Sequence, residues 1–490
     1  MKSIFKATAI LSGSSIISIL VSLASAKVMA LYLHPAGYGY YGLLQSFVGL
    51  TVLAAGMGMA AGMVRLGARA ASQGDEQTIA GLRAGAWLVF AATGLLAFLL
   101  CFAFRATLSR WVLGTPDKGS TIVWMVIPLV LTVATNVQVG TLNAHHRIAT
   151  LAQYSVGNTV LGAAINIVAI LLWGIRGIVP GVIVGAFGSY VLSRYFLRRA
   201  VGPIRVRPTR RDAFQAALSL LRFGGPFTLS MLVGTGVQFA LPIIILHLLN
   251  TEAVGLYKAS IAISVGYLGF LVTAMGQDYF PRVSAVKDQP KELARLINEQ
   301  QRLVLLLSIP IVLGMLALVP FLVPLIYSRS FLPAVEILEW QLIADLFKFS
   351  SWTMSFVILA RCASSVYFLT ECVAGVANLS LTCLAVRFFG MPGLGIGFLA
   401  AHFTYYLVVR TIIGREIDLV WTSRNKEMML AAITCAIIIR VLPSTPLASL
   451  RTGLALSLTL LSGTWSLYSI WQEMGRPTRV SSLRSLFEKR

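Results

Sequence analysis

Seven ionisable residues lie inside or at the ends of long apolar runs, where a charge is costly and is kept for a partner or a purpose: Lys27, Arg65, Lys258, Asp278, Asp345, Lys348 and Glu371. Lys27, Lys258 and Arg65 could supply positive charge to an anionic substrate such as a diphosphate, which cannot enter a low-dielectric site unpaired. Glu371, Asp345 and Asp278 could take up and release a proton or a sodium ion, coupling movement to a gradient. Each has a plainer reading beside it. Lys27 and Lys258 could snorkel to the outer interface. Asp345 and Lys348 stand at i, i+3 on one helix and can neutralise each other, which makes structural pairing the preferred reading. Asp278 precedes Arg282 by four positions and suits a salt bridge at a helix end. Glu371 has no partner nearby in sequence, although Arg361 could reach it.

No other constellation carries chemistry. His34, His145, His146, His247 and His402 have no metal-ligand spacing. Cys101, Cys362, Cys372, Cys383 and Cys435 all fall in apolar segments without paired spacing, so neither a disulfide nor a metal site is expected. No phosphate-binding glycine loop is present, and no cofactor or catalytic residue is expected.

The elements that position these charges follow from composition. Of the 490 residues, 57% are hydrophobic and 12% charged, and mean hydropathy is +0.80. A soluble fold cannot cover that much apolar side chain. The chain therefore reads as an all-α polytopic membrane protein. Apolar runs give fourteen spans, near 8–33, 40–64, 85–104, 120–142, 153–174, 178–197, 226–248, 254–279, 303–327, 335–360, 366–386, 393–413, 428–444 and 452–471. Lys2 and Lys6 precede the first run, and Ala24-Ser25-Ala26 resembles a signal-peptidase site. The run continues to Leu33, so an uncleaved first helix is expected.

The net charge of +22 would suggest nucleic acid in a soluble protein. Here it follows the loops: 28 Lys and Arg lie on the side holding the N-terminus and the loops after even-numbered spans, and 9 on the other. Both termini are thus expected in the cytoplasm, facing anionic membrane lipids, and the span count is even: twelve or fourteen. The longest loop, about 198–225, contains Arg198, Arg199, Arg205, Arg207, Arg210 and Arg211. It reads as a basic linker in which Phe214–Leu221 lies on the membrane surface.

Spans 1–6 and 7–12 share an ordered self-match. Gly39-Tyr40-Tyr41-Gly42 aligns with Gly255-Leu256-Tyr257-Lys258, 216 positions on, and Met57-Gly58 with Met275-Gly276, 218 on. Asn166, Arg176, Gly177 and Pro180-Gly181 align with Asn378, Arg387, Gly390 and Pro392-Gly393, about 212 on. Six spans per repeat give both halves one orientation around a central cavity that rocking can open to either side. The expected division is 1–200 and 226–415 as six-helix bundles, 201–225 as linker, and 416–490 as two extra helices with a basic tail. Glycines at 224, 225, 234 and 236 suggest that span 7 bends.

The hairpin from Leu31 to Arg65, with LYLHPAGYGYYGLLQSF and then GMGMAAGMVR, resembles the first hairpin of polysaccharide-repeat flippases. The stretch Val254–Val286, ending in MGQDYFPR and a few further residues, resembles the eighth span of O-antigen (Wzx-type) translocases. Both groups belong to the multidrug/oligosaccharidyl-lipid/polysaccharide exporter superfamily. The resemblance covers roughly spans 1–12 and implies flipping of an undecaprenyl-diphosphate-linked oligosaccharide across the bacterial inner membrane. It also implies a basic central cavity, coupling to an H+ or Na+ gradient, and cooperation with a polysaccharide polymerase or assembly proteins. Fourteen spans also fit the lipid II flippase branch, whereas the long Arg-rich loop and MGQDYFPR favour the polysaccharide branch. A drug/cation antiporter would share the fold but place carboxylates, with few cations, in the cavity. A membrane glycosyltransferase or polymerase would need a large outer loop bearing catalytic groups, and Asp117, Glu252, Glu336 and Glu339 form no paired-carboxylate motif. Nucleic acid is not an expected partner.

Overall fold

A computed structural model describes residues 2–202, 206, 208–267, 269–361, 364–442 and 448–475. Arg205 and Arg207 of the linker, Cys362 and the basic tail 476–490 lie outside these residues. Regular structure among the described residues is helical, and the chain is a polytopic all-α membrane protein. In chain order the α-helices are α1 (Lys2–Gly56), α2 (Met59–Ser72), α3 (Glu76–Ala103), α4 (Arg105–Leu113), α5 (Gly119–Trp124), α6 (Val126–Ala144), α7 (Ile148–Trp173), α8 (Ile178–Val201) and α9 (Arg210–Gly234). They continue as α10 (Gly236–Leu248), α11 (Thr251–Ile261), α12 (Gly269–Ala285), α13 (Pro290–Ile326), α14 (Ala334–Arg361), α15 (Ser364–Phe389), α16 (Gly393–Ile417), α17 (Ser423–Val441) and α18 (Ala448–Gly475). Packing gathers residues 1–259 with 323–333 into one compact unit and 260–322 with 334–490 into a second.

Three departures from simple spans have local causes. The first two spans run together in α1, whose helical path breaks at His34 (φ 54°, ψ 177°), because the ring of Pro35 disfavours helical geometry at the residue before it. The second predicted span breaks again at Met57-Gly58, both at positive φ. A Cβ on Gly58 would stand 2.7 Å from the Gly224 Cα, so the backbones of this turn and of α9 touch directly. Span 7 is interrupted at its glycines: α9 ends at Gly234 and α10 begins at Gly236.

The Phe214–Leu221 stretch is not a separate surface helix. It is the opening of α9, begun by a capping box in which the Asp212 N–H donates to Thr209 Oγ1 and the Thr209 N–H donates to the Asp212 carboxylate, each at 3.1 Å. These bonds from Thr209, backbone first, hold the Asp212 carboxyl below its usual range. Ala213, Ala217 and Leu220 are buried, and Ala213 O and Ala217 N lie within 2.7 Å of where a Gly85 Cβ would stand. Small residues on both helices bring α9 onto α3, and within the Phe214–Leu221 stretch Phe214, Gln215, Leu218 and Ser219 face outward.

In the second unit α14 is the most enclosed helix, buried along most of its length beside α16 and α12. The core around it joins Tyr279, Met354, Val357, Ile358, Val409 and Ile413.

Candidate functional site

In the first unit the predicted cations do not form one cluster. Lys27 donates from Nζ to the Pro324 carbonyl at 2.8 Å. Pro324 sits in the last turn of α13, where carbonyls lack intrahelical partners and the helix dipole is negative, so Lys27 caps that helix end. Lys258 lies across Gly42, with its Cγ 2.9 Å from the position a Gly42 Cβ would occupy. Among the described residues no carboxylate pairs with the Lys258 ammonium. Arg65 is exposed and stacks over the Phe223 ring at 4.7 Å. Gly42 and Arg65 are separated along the helices by roughly 30 Å, about one membrane thickness, so Arg65 belongs to the opposite end of the span from Lys258.

Aromatic side chains surround the break at His34. Tyr38 meets Tyr327 and Phe331 edge-on at 5.9 and 5.6 Å, and Tyr327 donates to the Ala259 carbonyl at 3.1 Å. Tyr40 underlies the Lys118 ammonium at 4.4 Å. These groups fix the backbone that carries Lys258.

The predicted carboxylates of the second unit have three different fates. Asp278 is 77% exposed and pairs with Arg282 at 3.2 Å, a salt bridge at a helix end. Asp345 is fully buried; Lys348 Nζ donates to its Oδ1 at 3.0 Å, and Ser264 Oγ to its Oδ2 at 3.0 Å. Ser264 comes from a π-helical turn, Ala262–Tyr267, whose wider winding reorients the side chains of span 8. Sequence pattern gave no sign of that turn. Glu371 accepts a hydrogen bond from the Tyr405 hydroxyl at 3.0 Å, while Arg361 lies 3.9 Å from Glu416 instead.

One turn of α16 lies near both buried Asp345 and half-buried Glu371. His402, whose Nδ1 is 2.9 Å from Phe398 O, is an electrostatic neighbour of Lys348, and Tyr405, three positions on, holds Glu371. A proton arriving at Glu371 changes a hydrogen bond anchored on this turn, whereas the Asp345 bonds run to Lys348 of α14 and to Ser264.

The sequence reading missed a further ionic cluster. Glu336 and Glu339 of α14 meet Arg440 of α17 at 3.2 and 3.0 Å, and Arg451 of α18 pairs with Glu339. Arg440 also stacks over Trp340 at 5.3 Å. This cluster gives the arginine of the predicted thirteenth span its partners, and it fastens α17 and α18 to α14. The signal available was the i, i+3 spacing of the two glutamates, but their partners stand more than 100 positions away.

The chain is similar to known proteins. The chain is 20% identical over 377 residues to the lipid III flippase of Escherichia coli (strain K12), covering 75% of this chain and 88% of that protein. It is 24% identical over 219 residues to a Shigella flexneri protein described as an O-antigen transporter, covering 44% of this chain and about half (51%) of that protein's length. Among solved structures it superposes on the lipid II flippase MurJ in an inward closed conformation with a TM-score of 0.72, covering 94% of this chain and 99% of that one at 12% identity. An inward-facing multidrug resistance MATE transporter of the MOP superfamily gives 0.66, over 86% of this chain and 99% of that one, at 18% identity. At these identities the likeness to the solved structures shows a shared fold. Residues 28–336 match the family described as polysaccharide biosynthesis protein, and the chain belongs to that family.

Proposed function

We propose that this protein flips an undecaprenyl-diphosphate-linked oligosaccharide, an O-antigen or other polysaccharide repeat unit, across the bacterial inner membrane by alternating access. Both termini are cytoplasmic, and residues 1–200 and 226–415 act as like-oriented six-helix halves joined by the 201–225 linker. The observation that carries this reading is the family match over 28–336, which includes the two hairpins that first suggested it. A polymerase or assembly protein on the outer side would receive the product.

Deleting the gene tests this directly. A lipid-linked saccharide repeat should accumulate on the cytoplasmic side, and plasmid expression should clear it. Accumulation of lipid II instead would move the protein to the peptidoglycan branch. Accumulation of neither would remove the flippase reading.

Lys258 is the cation best suited to the substrate's diphosphate, because its charge has no carboxylate partner among the described residues. Lys258→Ala should abolish complementation at normal protein level. Lys27→Ala should act mainly on stability, by uncapping α13. Equal loss of protein in both variants would reject the distinction.

Glu371 is proposed as the coupling carboxylate, held by Tyr405 at 3.0 Å with no cation bound to it among the described residues. Glu371→Gln keeps that hydrogen bond but fixes the group as neutral. Transport by reconstituted Glu371→Gln should become independent of the H+ or Na+ gradient; a dependence equal to wild type would exclude Glu371 from coupling.

A further inference from the structure

A second basic site lies away from Lys258. Helices α3, α6 and α8 enclose a cavity of about 400 Å³ lined by Arg83, Trp87, Phe90, Gln138, Arg194 and Arg198. We propose that it binds the phosphodiester headgroup of an anionic phospholipid from the cytoplasmic leaflet.

Charge is the first argument. Arg194 and Arg198 stand at i, i+4 on α8, and Arg83 of α3 is close enough to both to feel their like charges. Among the described residues no aspartate or glutamate lines the cavity. The Tyr190 hydroxyl, 3.4 Å from Arg194, is a neutral partner only. Three guanidinium groups sharing one concavity repel one another, and an anion that accepts from several of them at once relieves that repulsion.

Polarity along the cavity is the second. Going inward on α3, Arg83 is followed by Trp87 and Phe90; on α6, Thr141 and Gln138 give way to Val137 and Ala134. Gln138 is buried, with its oxygen accepting from Ser193 Oγ at 2.6 Å. The charged end coincides with the C-terminal end of α8, which leads into the Arg-rich segment assigned to the cytoplasm. Trp87 is 44% exposed and lies one helical turn inside Arg83. A soluble anion would use only the charged end, whereas a phospholipid uses the charged end and the apolar wall. Basic pockets between helices on the cytoplasmic side are suited to such headgroups.

The test uses delipidated full-length protein in detergent, titrated with phosphatidylglycerol, phosphatidylcholine or inorganic phosphate and read by native mass spectrometry. Phosphatidylglycerol should bind at least tenfold more tightly than phosphatidylcholine, and inorganic phosphate should not displace it. Arg83→Ala/Arg194→Ala/Arg198→Ala should remove the preference, while the charge-matched Arg147→Ala/Arg199→Ala/Arg211→Ala should retain it. Equal loss in both triples would show diffuse surface charge and overturn the site; displacement by inorganic phosphate would show a soluble anion and overturn the lipid. If the first triple fails to fold, Arg83→Gln alone should weaken phosphatidylglycerol binding at least threefold, and unchanged binding would overturn the proposal.

Discussion

Gly255→Ala should remove most of the protein from the membrane and abolish transport. The added methyl would overlap the carbonyl oxygen of Pro35 and stand 3.0 Å from the Gly39 amide nitrogen. Both obstacles are backbone, so no side-chain rotation relieves them, and α11 must draw away from α1. Overpacking with flexible neighbours costs about 1–3 kcal/mol, and this contact should exceed that range. Gly39→Ala should behave alike, since its methyl would overlap the Thr251 carbonyl. Gly162→Ala is the control: nothing lies within 4 Å of its Cβ position on α7. Alanine there should hold or slightly raise the unfolding midpoint in detergent. Equal midpoints for Gly255→Ala and Gly162→Ala would show that the helices are not in backbone contact.

Asp345→Ala should be the most damaging change in the second unit. The carboxylate is fully buried between Lys348 and Ser264, so its removal strands an ammonium and a hydroxyl. Breaking a buried ion pair from one side costs about 3–5 kcal/mol, whereas replacing both partners by apolar groups is often neutral. Asp345→Ala should therefore lower the unfolding midpoint sharply, and Asp345→Ala/Lys348→Met should restore much of it. Transport in the double variant separates two roles. Recovered stability with recovered transport means that the pair is architectural; recovered stability without transport means that Asp345 takes part in coupling. No recovery of stability would contradict the buried-pair geometry.

What the sequence disclosed was what local pattern encodes. Apolar run length located the helices, the glycines of span 7 marked a break, and i, i+3 and i, i+4 spacing found the Asp345–Lys348 and Asp278–Arg282 pairs. What it withheld was which helix faces which. Lys27 reaches Pro324 across 297 positions, and Glu339 reaches Arg451 across 112, separations over which spacing carries no signal. The start of α9 was misread for a related reason. Ala213 and Ala217 look indifferent in a hydropathy pattern, yet their smallness lets α9 seat on Gly85. The π-helical turn at Ala262–Tyr267 was equally silent, because its residue types suit an ordinary helix.

The close approach at Gly39 and Gly255 also limits how this part of the chain can diverge. The Thr251 carbonyl stands where a Gly39 Cβ would lie, the Pro35 carbonyl where a Gly255 Cβ would lie, and Lys258 fills the room left by Gly42. Two of these obstacles are backbone, so no neighbouring side chain can shrink to make room for a change at either glycine. Gly42 and Lys258 are different, because a shorter residue at 258 would free the space that a larger one at 42 needs. The first two positions are therefore frozen one by one, whereas the last two can drift only as a pair.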